Sequence, residues 1–226
     1  MLLLAINTAS KRESVALIFD KKILAELIWA GNMDESEKLL PAISDLLKKS
    51  RRRFNEIEGV AVVCGPGPFS AVRIGVTVAN TLAKILNVPV FEIDTPSLYW
   101  LRLQNPKMTS PRLGLKEAVL LLHAGGNFVS MFFQKKSVGI LPIQEALKLA
   151  AKKLKTKSMV FFGDITENEM REFSEAKRKN WQFLGEDDLK KFSSTVALAP
   201  AKSFKKVLLA SPIYCRPPNI TPSKKL

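Results

Sequence analysis

Histidine occurs once and cysteine twice in 226 residues, and each scarcity closes a class of chemistry. A single histidine, His123, cannot supply a two-histidine metal site, and neither an HExxH pair nor a nucleophile triad can be assembled around it. Cys64 and Cys215 do not make a disulfide scaffold, so the expected setting is a reducing cytoplasm. Long apolar runs are missing too. The N-terminal one, Met1 to Ile6, has no basic flank and is too short for a signal peptide or a membrane span, which predicts no membrane association. Low-complexity tracts and short repeats are absent. Carboxylates are outnumbered, 21 Asp and Glu against 35 Lys and Arg. The resulting net charge of +14 and pI near 9.8 favour an acidic partner, nucleic acid or protein.

What is present describes an ordered chain with a substantial core, since 46% of residues are apolar and 25% charged. The stretch Gly65-Pro66-Gly67-Pro68-Phe69-Ser70-Ala71-Val72-Arg73-Ile74-Gly75 organises the rest. Gly59 to Cys64 ahead of it is short, apolar and β-branched, the pattern of a buried strand. Two Gly-Pro pairs force a rigid turn, and Ser70 is placed to cap the helix that follows. Strand, glycine turn and helix N-terminus suit an anion, with Gly65, Gly67, Ser70 and Arg73 as its candidate ligands. No Gly-Lys-Ser/Thr follows, so this is not a Walker loop. A tight connection without any ligand fits the same residues.

Taken in order, Leu2 to Asn7, Ser14 to Phe19 and Ile23 to Ala30 read as an antiparallel meander turning at Asp20-Lys21-Lys22. Asp34 with Glu37 has capping-box spacing. Leu39, Leu40, Ile43, Leu46 and Leu47 then recur at helical intervals, with Pro41 expected to bend or shorten that helix. A second helix spans about 70 to 87, and Val88 to Ile93 forms a further strand. The order β-β-β-α-β-α-β implies a mixed sheet with helices on its faces. Thr95-Pro96-Ser97 starts a helix through Leu103, and Gln104 to Gly114 reads as a connection. Glu117 to His123 and Phe128 to Gln134 make a hairpin, Pro142 to Leu154 a helix, Met159 to Phe162 a strand, and Ser193 to Leu209 a weaker helix. The second half thus repeats the first in degraded form.

Placed at roughly 100° per residue, the second helix has a narrow polar strip of Arg73, Thr77, Asn80 and Lys84. Its apolar arc is about twice the ~100° that a surface helix needs. Ala71, Gly75 and Ala79 form a row of small residues within that arc, where another helix could approach closely. The surplus face packs either on the chain's own first helix or on a partner. Basic residues cluster at Lys48, Lys49, Arg51, Arg52 and Arg53, and again at Lys152, Lys153, Lys155 and Lys157. With no aromatic platform interleaved, they read as solvated faces before they read as specific RNA contacts.

The segment from Gly65 to Gly75 resembles the GPGSFTGLRIG motif of the TsaB (YeaZ) family. Ser36-Glu37-Lys38-Leu39-Leu40-Pro41 resembles its HSExLLP segment, with Glu35 where the histidine would stand. Leu4-Ala5-Ile6-Asn7-Thr8 is similar to its LAIDT strand, and Pro96-Ser97-Leu98 sits where its SSL element follows. Tyr214 to Thr221 resembles its YLRPPxIT tail. The chain is thereby identified as a divergent member, matched in order along its length.

The resemblance implies a two-lobed α/β fold of the actin-like, sugar-kinase (ribonuclease H-like) type. Residues 1–104 would form the first lobe, and 105–226 a smaller one whose tail returns to the first. It implies a non-catalytic scaffold that dimerises with a TsaD-type subunit and works with a TsaE-type ATPase to install threonylcarbamoyl beside the anticodon of tRNA. The chain itself would touch tRNA weakly or indirectly. Its docking face would be Leu39, Ile43, Leu46 and Leu47 with Ala71, Gly75, Val76, Ala79, Leu82 and Ala83, and the isolated chain would pair with itself through the same helices. No tightly bound cofactor or metal is expected, with ATP or ADP only at an interface shared with the partner. Asn7 replaces the family's usual Asp, and His123-Ala124-Gly125 replaces its Asp-Ala-Arg. The competing reading is an actin-fold ATP-dependent enzyme that uses the Gly65–Gly67 turn as its phosphate loop.

Overall fold

In the computed structural model, which describes residues 1–20, 22–31, 34–104, 118–133, 136–153, 159–176, 178–185 and 205–216, the predicted meander forms first. β1 (Leu2–Asn7), β2 (Arg12–Phe19) and β3 (Lys22–Ala30) pair antiparallel in sequence, with a register shift between Leu17 and Ile18. β1 and β4 (Gly59–Val63) are buried along their whole length, as near-continuous apolar runs in the middle of a covered sheet should be. β4 runs parallel to β1, and β5 (Val90–Ile93) runs parallel to β4. With β11 (Lys205–Val207) at one edge, the first sheet has the order β11-β5-β4-β1-β2-β3.

α1 (Glu35–Lys49) and α2 (Phe69–Leu86) lie against this sheet, and each departs from expectation at its start. Asp34 is the N-cap of α1 but makes no side-chain cap bond; its carboxylate pairs with Lys38, 2.5 Å away, and only its carbonyl accepts the Glu37 and Lys38 N–H groups. The capping box is therefore not formed. Pro41 sits inside an unbroken helix, so it does not shorten α1. Leu39, Ile43, Leu46 and Leu47 are buried, whereas Leu40 is turned outward and 52% exposed. On α2 the N-cap is Pro68, and Ser70 is an exposed first-turn residue making no cap bond. Asn87 closes this helix in the left-handed conformation that Asn tolerates, its N–H bonding the Ala83 and Lys84 carbonyls.

α3 (Thr95–Gln104) bridges the two halves: Leu98 belongs to the first core, while Tyr99, Trp100 and Leu103 pack with the second sheet. Trp100 meets Phe162 edge-on at 5.0 Å. This helix thus contributes to both cores just ahead of residue 104, the expected lobe boundary. The second sheet, β10-β9-β6-β7-β8, contains the predicted hairpin of β6 (Ala118–His123) and β7 (Phe128–Phe133) and the predicted strand β9 (Met159–Asp164). α4 (Ile143–Lys153) was also foreseen. Not foreseen were β8 (Lys136–Pro142), α5 (Glu167–Ala176) and β10 (Trp181–Leu184).

Of the helix expected over 193–209, only the last residues are described, and Lys205–Val207 form a strand, β11, antiparallel to β5. The connection 105–114, Lys155, Lys157 and the tail beyond Arg216 lie outside the described residues. α2 is long and apolar enough to cross a membrane by composition, and in this fold it packs on β1, β4 and β5.

Candidate functional site

The glycine turn is filled by the chain itself. Gly65, at φ 101°, is buried, and a Cβ there would run into the carbonyl oxygen of Ile213. A Cβ on Gly67 would strike the main chain of Ala9. These glycines allow β4, the loop after β1 and the returning C-terminal segment to meet, a close approach that only glycine permits. The Cys64 carbonyl accepts the Ile213 N–H at 2.7 Å, and the Gly65 carbonyl accepts the Thr95 N–H at 2.7 Å. Ser70 and Arg73 stay on the surface, with the Arg73 guanidinium 5.5 Å from the centre of the Phe69 ring. Phe69 in turn contacts Tyr214 at 4.4 Å. The four anion candidates are thus not gathered around an open seat.

The docking residues need a larger correction. All ten, Leu39, Ile43, Leu46, Leu47, Ala71, Gly75, Val76, Ala79, Leu82 and Ala83, are buried within the chain. The small row does admit a close neighbour, but that neighbour is Thr8. A Cβ on Gly75 points at the Thr8 hydroxyl, which donates to the Ala71 carbonyl at 2.7 Å. The sheet and the loop after β1 take up one half of the apolar arc. The other half lies at the edge of the polar strip: Ile74, Val78 and Ile85 fall within about 40° of one another at 100° per residue. Ile74 and Val78 are half-buried, and Ile85 is 69% exposed.

At the strand ends, where a phosphoryl-transfer fold would place its carboxylates, the side chains serve the chain. Asn7 is fully buried; its amide donates to the Ser10 hydroxyl at 3.1 Å, and its oxygen accepts the Ala9 N–H at 3.0 Å. Lys11 crosses to the other sheet, its N–H donating to Asp164 at 2.9 Å and its ammonium to the Ile165 carbonyl at 2.5 Å. Burial raises the Asp164 carboxyl pKa, against the opposing pull of Lys11 and His123. His123 pairs through Nδ1 with the buried Glu169 at 2.9 Å. Burial pushes Glu169 up, but hydrogen bonds from His123 and Thr166 outweigh it and leave the carboxyl below its ordinary pKa. Gly125 and Gly126, both at positive φ, turn the hairpin where the family's arginine would stand. Among the described residues, no group of three or more His, Cys, Asp or Glu could hold a metal ion.

One feature had no sequence signal beyond the missing histidine at position 35. Glu13 and Glu35 are both buried side by side, with Trp29 donating to Glu13 at 2.8 Å. Burial, followed by the hydrogen bond and charge of Glu35, pushes the Glu13 carboxyl up to about 8. The basic cluster after α1 is partly neutralised: Arg52 and Arg53 pair with Glu56 at 3.1 and 3.2 Å, and Lys48 with Asp45 at 3.7 Å.

Residues 33–115 match the family model of TsaD, the tRNA N6-adenosine threonylcarbamoyltransferase. The tRNA threonylcarbamoyladenosine biosynthesis protein TsaB of Bacillus subtilis is 33% identical over 95 residues, 42% of this chain and 42% of its own length. YeaZ from Pseudomonas aeruginosa superposes with a TM-score of 0.63 over 87% of this chain and 89% of its own, at 18% identity. A second structure, of an uncharacterized protein similar to peptidase YEAZ from Pseudomonas aeruginosa, gives 0.65 over 95% and 99% at 22% identity. Over part of its length the chain is thus similar to TsaB and TsaD proteins, and in fold to YeaZ. The chain spans about half or less of the length of the curated TsaB relatives it matches, and the family-model match at 33–115 takes in the glycine turn, α1 and α2. The fold, two mixed sheets flanked by helices, is the one shared by these two YeaZ-type structures.

Proposed function

We propose that this chain is a non-catalytic supporting subunit in tRNA threonylcarbamoyladenosine biosynthesis, docking on a TsaD-type subunit in the cytoplasm. The observation that carries this reading is the outer stripe of α2. Ile74 and Val78, half-buried at the margin of the first core, and Ile85, 69% exposed, form an apolar seam that the chain covers only in part, bordered by Arg73, Thr77 and Lys84. An apolar centre with a polar border is how a helical interface is built. The filled glycine turn and the self-bonded Asn7 favour support over phosphoryl transfer. A TsaE-type ATPase completes the assembly, nucleotide enters only at the shared interface, and tRNA is met weakly or indirectly through Lys49, Arg51 and their neighbours. When alone, the chain pairs with itself through the same stripe.

Co-expression with the TsaD-type subunit of the same organism tests this. Ile85→Glu should weaken the heterodimer at least tenfold while leaving the isolated chain's melting temperature unchanged, because Ile85 touches solvent in the free chain. Wild-type affinity in that variant would move the interface elsewhere. Steady magnesium-dependent ATP turnover by the isolated chain would overturn the supporting role.

A further inference from the structure

A cleft of about 630 Å³ opens between the carboxyl edge of the first sheet and the β7–β8 hairpin of the second. That is within the ~300–1,000 Å³ of ordinary small-molecule sites. Its polar side chains are the carboxylate of Asp94, the hydroxyls of Ser97, Ser130, Ser137 and Tyr214, and the thiol of Cys215. Its walls are apolar, with Phe132 on one side and Ile213 on the other. Among the described residues, no lysine, arginine or histidine lines it, and Asp94 is its one charged group.

Asp94 is held in place. It accepts the Ser97 N–H at 2.7 Å and the Ser97 hydroxyl at 3.0 Å, so the chain's own carboxylate already answers the positive end of α3. A carboxylate has about four acceptor positions, and these two bonds leave others to face the cleft. The local field is negative. The Cys64 thiol nearby is pushed up to about 12 by burial and then by the charges of Glu92 and Asp94. A phosphate entering here would meet the Asp94 charge with no cation among the described lining residues to offset it, the neighbouring Arg216 being laid over the Phe128 ring at 4.1 Å, whereas a ring bearing hydroxyls or an ammonium would find acceptors and apolar walls together.

We infer that this cleft binds an uncharged or cationic, hydroxyl-bearing small molecule of nucleoside or amino-sugar size, with Asp94 accepting hydrogen bonds from its hydroxyl or ammonium groups. This site is separate from the outer stripe of α2 and stands whether or not that stripe meets a partner.

Ligand-observed NMR and calorimetry on the full chain test the inference with two pairs of probes, adenosine with AMP and glucosamine with glucosamine 6-phosphate. The unphosphorylated member of at least one pair should bind, and its phosphate ester should bind at least tenfold more weakly. Binding by adenosine alone identifies a nucleoside site, and by glucosamine alone an amino-sugar site. Ser137→Phe places a ring at an exposed rim position and should abolish binding with the fold intact. Asp94→Asn, which keeps a good helix cap, should weaken binding at least tenfold. The inference fails if neither unphosphorylated probe binds, if the phosphate esters bind as well, or if Ser137→Phe leaves binding unchanged.

Discussion

The two sheets are copies in topology and opposites in what their helices offer. β1-β2-β3-α1-β4-α2-β5 is matched by β6-β7-β8-α4-β9-α5-β10, and the strand orders β5-β4-β1-β2-β3 and β10-β9-β6-β7-β8 correspond one to one. Even the irregularities repeat. A register shift falls in the outer antiparallel pair of each sheet, and a glycine at positive φ, Gly65 or Gly163, ends the strand beside the first. The first copy has helices of 15 and 18 residues over an aliphatic core, the second has 11 and 10 over an aromatic one. In the second, Phe173 packs on Phe161, Trp181 and Phe183. Outside its buried Glu169, α5 carries Glu167, Glu172 and Glu175, where α2 carries Ile74, Val78 and Ile85. The comparison teaches that the pattern of strands preserves the fold, while the outer faces of the helices are free to diverge.

The sharpest way to break the comparison is Phe173→Ala. Removing a ring that holds the second core together should cost about 3–5 kcal/mol. Hydrogen exchange should show β6, β7, β9 and β10 losing protection while β1 and β4 keep theirs. Equal loss in both sheets would mean a single cooperative core. Next in size is Gly75→Leu, which drives a side chain into Thr8 and should destabilise the first sheet by about 3 kcal/mol in urea unfolding. If that variant is as stable as wild type and loses only partner binding, the small row faces outward after all.

The third test concerns a charge pair the second copy does not share. Because the folded-state pKa of Glu13 lies above its ordinary value, the native state retains a proton that the unfolded chain has released between pH 4.5 and about 8. Its contribution is therefore fully present below pH 4.5 and is lost as pH rises through about 8, with a slope of up to about 1.4 kcal/mol per pH unit. Glu13→Gln should flatten stability across that window. An unchanged slope would locate the proton elsewhere.

Most of the first copy was legible because its residues are consistent. β1, β4, α1 and α2 announce themselves by unbroken apolar runs or by 3.6-residue stripes, and the helix bounds fell within a residue or two. The second copy was harder for physical reasons. β8 is an edge strand, partly exposed and interrupted by Gly139, so it lacks clean alternation. α5 buries only Glu169 and Phe173, too few to mark a stripe. The apolar arc of α2 was half legible. The sequence of α2 displays a surplus of apolar surface, but only the position of Thr8 decides which half the chain uses for itself. Glu13 and Glu35 stand 22 positions apart, and nothing local forecasts that two carboxyls will share one buried space.

β11 carries a consequence for how the protein is made. The edge of β5 is covered by Lys205–Val207, the Ala210 main chain bonds both ways with the Asn80 amide at 2.8 and 3.0 Å, and Ile213 closes on Cys64. The first copy is therefore finished by residues that are synthesised after the second copy. Until they arrive, the nascent first sheet has an open edge and an unfilled glycine turn, and its completion waits on synthesis of the second copy.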